Sequence, residues 1–133
     1  MSEYNLKIVT PDRLVFEGSA ERMVARTVDG DVCILARHTD YVVPLAIGQV
    51  KVKESGKDFR LASCSGGTLM VSEGAVTVIA STFEWADEID VERAERAKEK
   101  AERRIEHHSS DYELRLAELK LKRALNRMST GIK

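Results

Sequence analysis

The chain has 133 residues, 43% of them hydrophobic and only 5% aromatic, so it can bury a core built mainly on Val, Ile, Leu and Ala. With 21 basic and 22 acidic residues its formal net charge is −1, which excludes a broad basic face wrapped by nucleic acid. No stretch approaches the ~20 apolar residues of a membrane helix, and the first residues carry neither the basic nor the apolar region of a secretory signal.

The first part of the chain has strand rhythm. Tyr4, Leu6 and Ile8 alternate with polar positions, as do Phe59 and Leu61, Leu69 and Val71, and Val76, Val78 and Ala80. This period of two puts one face on a core and the other in water. Turn residues interrupt the runs at Thr10-Pro11-Asp12, Asp29-Gly30-Asp31, Glu54-Ser55-Gly56-Lys57, Ser65-Gly66-Gly67 and Glu73-Gly74. The stretch Glu54–Lys57 joins two alternating runs as a hairpin. Eight to ten short strands fit this spacing, which predicts an antiparallel β-sandwich or flattened barrel of about ten strands over residues 1–86. Cys33 and Cys64 sit in apolar runs, 31 positions apart and with no Cys-x-x-Cys pairing; they read as small buried hydrophobes in a reducing compartment.

The pattern changes near residues 84–90. Seven of the eight glycines and both prolines precede Glu84. Beyond it, Val91, Ala94, Ala97, Ala101 and Ile105 follow three- and four-residue steps, a narrow helical stripe of small groups. Asp90 is a good N-cap for that helix. His107-His108-Ser109-Ser110 ends it, and Ser110 with Glu113 has capping-box spacing for a second helix. Leu114, Ala117, Leu121, Ala124, Leu125 and Met128 form the second stripe. The short break predicts an antiparallel helical hairpin over residues 87–133. Alanine buries little area, so the two stripes hold each other weakly.

Catalytic motifs are missing. His38-Thr39-Asp40 and Ser63-Cys64-Ser65 have no nucleophile-elbow signature around them, and no phosphate-loop motif is present. His107 and His108 are adjacent and point apart on a helix, so no metal site is expected. The C-terminal end is more informative. Residues 119–133 contain Lys120, Lys122, Arg123, Arg127 and Lys133 and no acid, whereas residues 87–118 carry 11 acidic and 7 basic residues. A solvated helix end and a docking surface for phosphate or an acidic partner are both consistent with that tail.

Certain blocks resemble a known family. Ile8-Val9-Thr10-Pro11-Asp12, Gly30-Asp31-Val32-Cys33-Ile34-Leu35-Ala36-Arg37-His38 and Ser65-Gly66-Gly67 are similar, in order and over the whole chain, to the epsilon subunits of bacterial F-type ATP synthases. Cys33 and Arg37 stand where that family commonly has glycine, and Ala36 where it has proline. The resemblance implies a non-catalytic rotor subunit of a proton- or sodium-translocating enzyme. It would lie peripherally at the cytoplasmic face of the bacterial membrane and meet the bilayer only through the complex. It implies a sandwich that couples the gamma subunit to the ring of c subunits, with Asp31 and His38 on the contacting segment. It implies a hairpin that restrains ATP hydrolysis when extended, with Lys120, Lys122, Arg123 and Arg127 meeting an acidic segment of the beta subunit in the alpha/beta hexamer.

In some members of this family the folded hairpin binds one ATP as a regulatory ligand, with or without Mg2+. Ile89-Asp90-Val91-Glu92-Arg93-Ala94 fits their signature without a mismatch. Glu84, Arg123 and Arg127 match further binding positions, and Lys100 stands where the best binders have arginine. No catalytic cofactor is implied. The alternative class is a free-standing nucleotide-sensing adaptor module, which the same basic tail would also suit.

Overall fold

The computed structural model describes residues 2–131, so Lys133 and the last two positions of the expected hairpin lie outside the described residues. The chain divides into two compact units, one up to Trp85 and the other from Ala86 onward.

The first unit contains β1 (Tyr4–Thr10), β2 (Arg13–Ala20), β3 (Arg22–Thr27), β4 (Gly30–Leu35), β5 (Tyr41–Lys53), β6 (Arg60–Ser72), β7 (Ala75–Ala80) and β8 (Phe83–Trp85). The sheet runs in the order β2-β1-β7-β6-β5-β3-β4, with β8 added to β6. Two long strands turn this one sheet into a sandwich. The first half of β6 pairs with β8 and its second half with β7, while β5 pairs with β6 along nearly its whole length. Both long strands change which residues point inward. In β5 the buried residues pass from Val43 and Leu45 to Val50 and Val52; in β6 they pass from Ala62 and Cys64 to Leu69 and Val71. A one-residue change of phase is what a strand needs to cross from one layer to the other while still facing the same core.

Glycines mark both crossings. Gly67 has φ +128°, and a Cβ there would collide with the carbonyl oxygen of Ile79 on β7. Gly48 lies under Arg26, where a Cβ would come within 2.5 Å of the arginine's own Cβ. The core between the layers holds Tyr4, Leu6, Ile8, Met23, Ile34, Leu69 and Val78, among others. The Tyr4 hydroxyl donates to the carbonyl of Ile34 at 3.0 Å and so ties β1 to β4. Burial pushes that phenol well above its ordinary range. Trp85 closes one end of the core: Phe83 and Phe16 meet it edge-on at 5.2 and 6.2 Å, and the Arg60 guanidinium lies 3.8 Å over its ring.

The structure corrects the sequence reading in four places. There are eight strands among the described residues, fewer than the ten expected, and Ser65-Gly66-Gly67, read as a turn, lies inside the single long strand β6. The sheet is mixed, since β1 and β7 run parallel, with Leu6 beside Val76. Cys33 is exposed on β4, whereas Cys64 is buried as expected. Phe59 is 43% exposed and lies just ahead of β6.

The second unit is a short 3-10 turn, Ala86–Glu88, followed by α1 (Val91–Glu106) and α2 (Asp111–Thr130). Asp90 caps α1, its Oδ1 accepting from the Arg93 amide at 3.0 Å. Ser110 caps α2 by accepting from the Glu113 amide at 3.1 Å. The Glu113 carboxylate turns to the amide and hydroxyl of Ser109, at 3.0 and 2.7 Å, which hold it below the usual glutamate range. The helices pack antiparallel: Gly131, just past α2, sits against Val91 and Ile89 at the start of α1. Ala94 and Ala101 are the buried residues of α1; Ala117 and Ala124, with Thr130, are those of α2. Val91, Lys98 and Ile105 on α1 and Leu114, Leu121 and Met128 on α2 are half-buried. The seam is therefore a 3-4-3-4 pattern on each helix. Ala97 and Leu125 stand off it and are exposed, and the stem of Lys98 takes the place expected for Ala97.

Candidate functional site

The seam sorts the predicted nucleotide-binding residues. Arg93 and Lys100, seven apart, each precede a seam alanine and share one flank of α1. Arg123 likewise precedes Ala124, and Arg127 lies one turn further along the same flank of α2. In an antiparallel pair the corresponding flanks adjoin, so these four cations line one side of the hairpin. Their first members are set by the α1 cap. Ile89 is buried, Asp90 holds the extended conformation of an N-cap (φ −84°, ψ 96°), and the Arg93 side chain leaves the first turn exposed. Ala94 is 3% exposed and serves the packing.

One atom stands out on that flank. The Nε of Arg123 is buried and has no hydrogen-bond partner among the described residues. Most buried polar groups are hydrogen-bonded, so an orphan guanidinium nitrogen fits an anionic acceptor supplied from outside the chain. Phosphate oxygens suit it, because the guanidinium edge binds them as a fork.

Glu84 belongs to the first unit, on β8 opposite Ser63 of β6. The basic-tail residues also separate. Lys120 shares the flank of Arg123 and Arg127, whereas Lys122 projects from the other side of α2. Among the described residues no group of three or more His, Cys, Asp or Glu is placed to hold a metal ion. Nor is any helix among them long and apolar enough to cross a membrane.

Asp31 and His38 do not form one patch. Asp31 lies at the turn end of β4 and His38 beyond its far end, on the order of 13 Å of extended strand from Asp31 to Leu35. The Asp31 carboxylate is engaged in a salt bridge, accepting from Arg26 Nε at 2.6 Å. The imidazole Nδ1 of His38 lies 2.7 Å from the Thr39 carbonyl, and its ring is tilted against Tyr41 at 5.5 Å. Arg37 takes φ 65°, the left-handed conformation that a glycine would hold without strain, so the backbone keeps the glycine shape there. Asp40 secures the same segment by accepting from the Glu73 amide at 3.0 Å.

The sequence reading missed Arg26. Thr27 pairs with Gly30 across a two-residue turn, which places Arg26 opposite Asp31 by simple counting.

Comparison with known proteins supplies the family. The beta-sandwich domain of the ATP synthase Delta/Epsilon chain matches residues 3–86, and the long alpha-helix domain of the same chain matches residues 87–130. The ATP synthase epsilon chain of Ruminococcus albus is 44% identical over 134 aligned positions, covering 100% of this chain and 99% of its own. That of Bacillus velezensis is 43% identical, covering 98% of each. A chain of the Euglena gracilis mitochondrial ATP synthase structure superposes with a TM-score of 0.84 at 22% identity, over 97% of this chain and 81% of that one. One in the Tetrahymena thermophila mitochondrial ATP synthase central stalk and c-ring gives 0.67 at 12%, over 96% of each. At those identities the two structures speak for the fold alone. Matched over both units by one family and end to end by bacterial relatives, the chain belongs to the ATP synthase delta/epsilon family, as an epsilon subunit.

Proposed function

We propose that the sandwich joins the gamma subunit to the ring of c subunits in a rotor, and that the hairpin restrains ATP hydrolysis by the alpha/beta hexamer. In this reading the complex sits at the cytoplasmic face of the bacterial membrane. Asp31 and His38 are two separate contact points, one at each end of β4. A bound ATP stabilises the folded hairpin. The orphan Nε of Arg123, on the flank it shares with Arg93, Lys100 and Arg127, is the observation that supports the ATP site.

The physics is a population shift. Alanine seams hold the helices together weakly, and an anion bridging both helices binds only their closed arrangement. A ligand at about ten times its Kd then adds roughly 1.4 kcal/mol to that state. When the hairpin extends, Arg123 and Arg127 are released, and with Lys120 and Lys122 they meet carboxylates of the beta subunit. Phosphate and carboxylate thus compete for the same guanidinium groups. Lys100 offers a point charge where arginine would offer a fork, so affinity is lower than in arginine-bearing members.

Calorimetric titration of ATP into the full chain tests the site, with Arg123→Ala as control and a parallel run in EDTA for Mg2+. Heat that the substitution removes supports the latch, and no heat at millimolar ATP overturns it. Removing residues from 87 onward tests the restraint: the reassembled complex should hydrolyse ATP faster, and an unchanged rate would rule restraint out. Co-purification with gamma and c subunits separates the rotor reading from that of a free-standing adaptor.

A further inference from the structure

The β3–β4 hairpin carries a device that aims one carboxylate. At Arg26 the pairing of β3 with β5 breaks register: Ala25 faces Val50 but Thr27 faces Leu45. Residues 46–49 of β5 therefore stand opposite Arg26 alone, where β5 crosses between layers. Irregularities of this kind redirect a side chain. The stem of Arg26 has room there because Gly48 has no Cβ to meet it; one would approach its Cβ and Cγ to 2.5 and 2.8 Å. The guanidinium then reaches the residue across the hairpin. Nε donates to Asp31 Oδ1 at 2.6 Å, and the second nitrogen lies 3.5 Å from Oδ2. The turn is itself fixed, with the Thr27 hydroxyl donating to the Gly30 carbonyl at 2.6 Å and accepting from the Asp29 amide at 3.1 Å.

The pair is more than half exposed, with the Arg26 and Asp31 side chains at 53% and 56% of full accessibility. An exposed ion pair adds little to stability, so the fork itself does little to hold the sandwich. We infer that Arg26 is a positioning residue for Asp31: it fixes the carboxylate in one rotamer, so that the lone pairs its fork leaves open accept from a donor on the partner, a guanidinium or amide group. The contact presented to the ring is then a neutral, oriented pair and not a bare anion. This rests on the proposed role of Asp31 at the ring.

The test is the rebinding of the full chain to ATP synthase from which this subunit has been removed, reading the concentration that half restores ATP-driven ion pumping. Arg26→Ala should raise that concentration about threefold, the scale of one exposed pair. Arg26→Lys, which keeps the charge but not the fork, should recover less than half of the loss. In an Asp31→Asn background Arg26→Ala should add nothing further. A parent-like Arg26→Ala, full recovery by Arg26→Lys, or an equal loss in both backgrounds would each overturn the inference while Asp31 kept its role. If Asp31→Asn itself rebinds like the parent, Asp31 is not a ring contact and the inference falls with it.

Discussion

Replacing Ala117 with leucine should open the hairpin without touching the sandwich. Ala117 is 1% exposed, and the three other seam alanines are equally closed, at 3% or less. At about 0.8 kcal/mol for each buried methyl, the four together contribute only about 3 kcal/mol to helix pairing. A leucine at position 117 adds three carbons to a seam with no room for them. Overpacking of this kind costs typically 1–3 kcal/mol, because widening the seam at one alanine loosens the other three. A loss near 2 kcal/mol corresponds to roughly 30-fold faster opening-limited amide exchange along α1 and α2. Hydrogen exchange on the full chain measures this, with Trp85 fluorescence reporting sandwich unfolding at an unchanged denaturant midpoint. Leu116→Ala, at a site 37% exposed, should leave exchange as in the parent. Protection in Ala117→Leu equal to or above the parent would refute the picture of a tight alanine seam.

Arg37→Gly should stabilise the sandwich: relief of the left-handed strain at φ 65°, about 1–2 kcal/mol, exceeds the added chain entropy of glycine, about 0.5–1 kcal/mol. A rise in Tm of about 2 °C is expected, and a fall would show the strain is absent. Glu21, 7% exposed and joined to Lys53 Nζ at 2.8 Å, has its carboxyl held below the ordinary 4.5 by that bond. A depressed folded-state value means the pair stabilises above pH about 4.5 and is lost as pH falls through the folded value. Glu21→Gln should therefore lower the urea midpoint at pH 7 and flatten its decline below pH about 4.5, while Asp12 and Glu113, also held low, keep part of the slope. An acid limb as steep as the parent's would exclude this pair as a source of it.

Local chemistry was legible in the chain, and long-range geometry was not. The caps at Asp90 and Ser110 and the turn at Glu73-Gly74 follow from residue types within a few positions. The strand count differed because Ser65-Gly66-Gly67 looks like a turn, whereas it lies where the unbroken β6 changes layer. The parallel pairing of β1 with β7 joins segments some 70 residues apart, and alternation carries no record of such a partner. Ala97 was placed on the seam for being apolar, although the lysine stem at position 98 fits the helical phase better. The cations of the proposed nucleotide flank were legible as residues. Their common side became visible only once the antiparallel seam fixed the phase of both helices.

The position of β1 has a consequence during synthesis. This first strand lies between β2 and β7, so one of its edges is completed only by residues 76–79. At ribosomal rates of about 5–20 residues per second, β1 waits roughly 4–14 s for that neighbour. Until then the nascent chain carries an open apolar edge, exposed to mispairing and to chaperones. The hairpin is made after the sheet and needs only nearby contacts, so its helices form fast. The slow step of maturation is therefore the closing of the sheet around its own beginning.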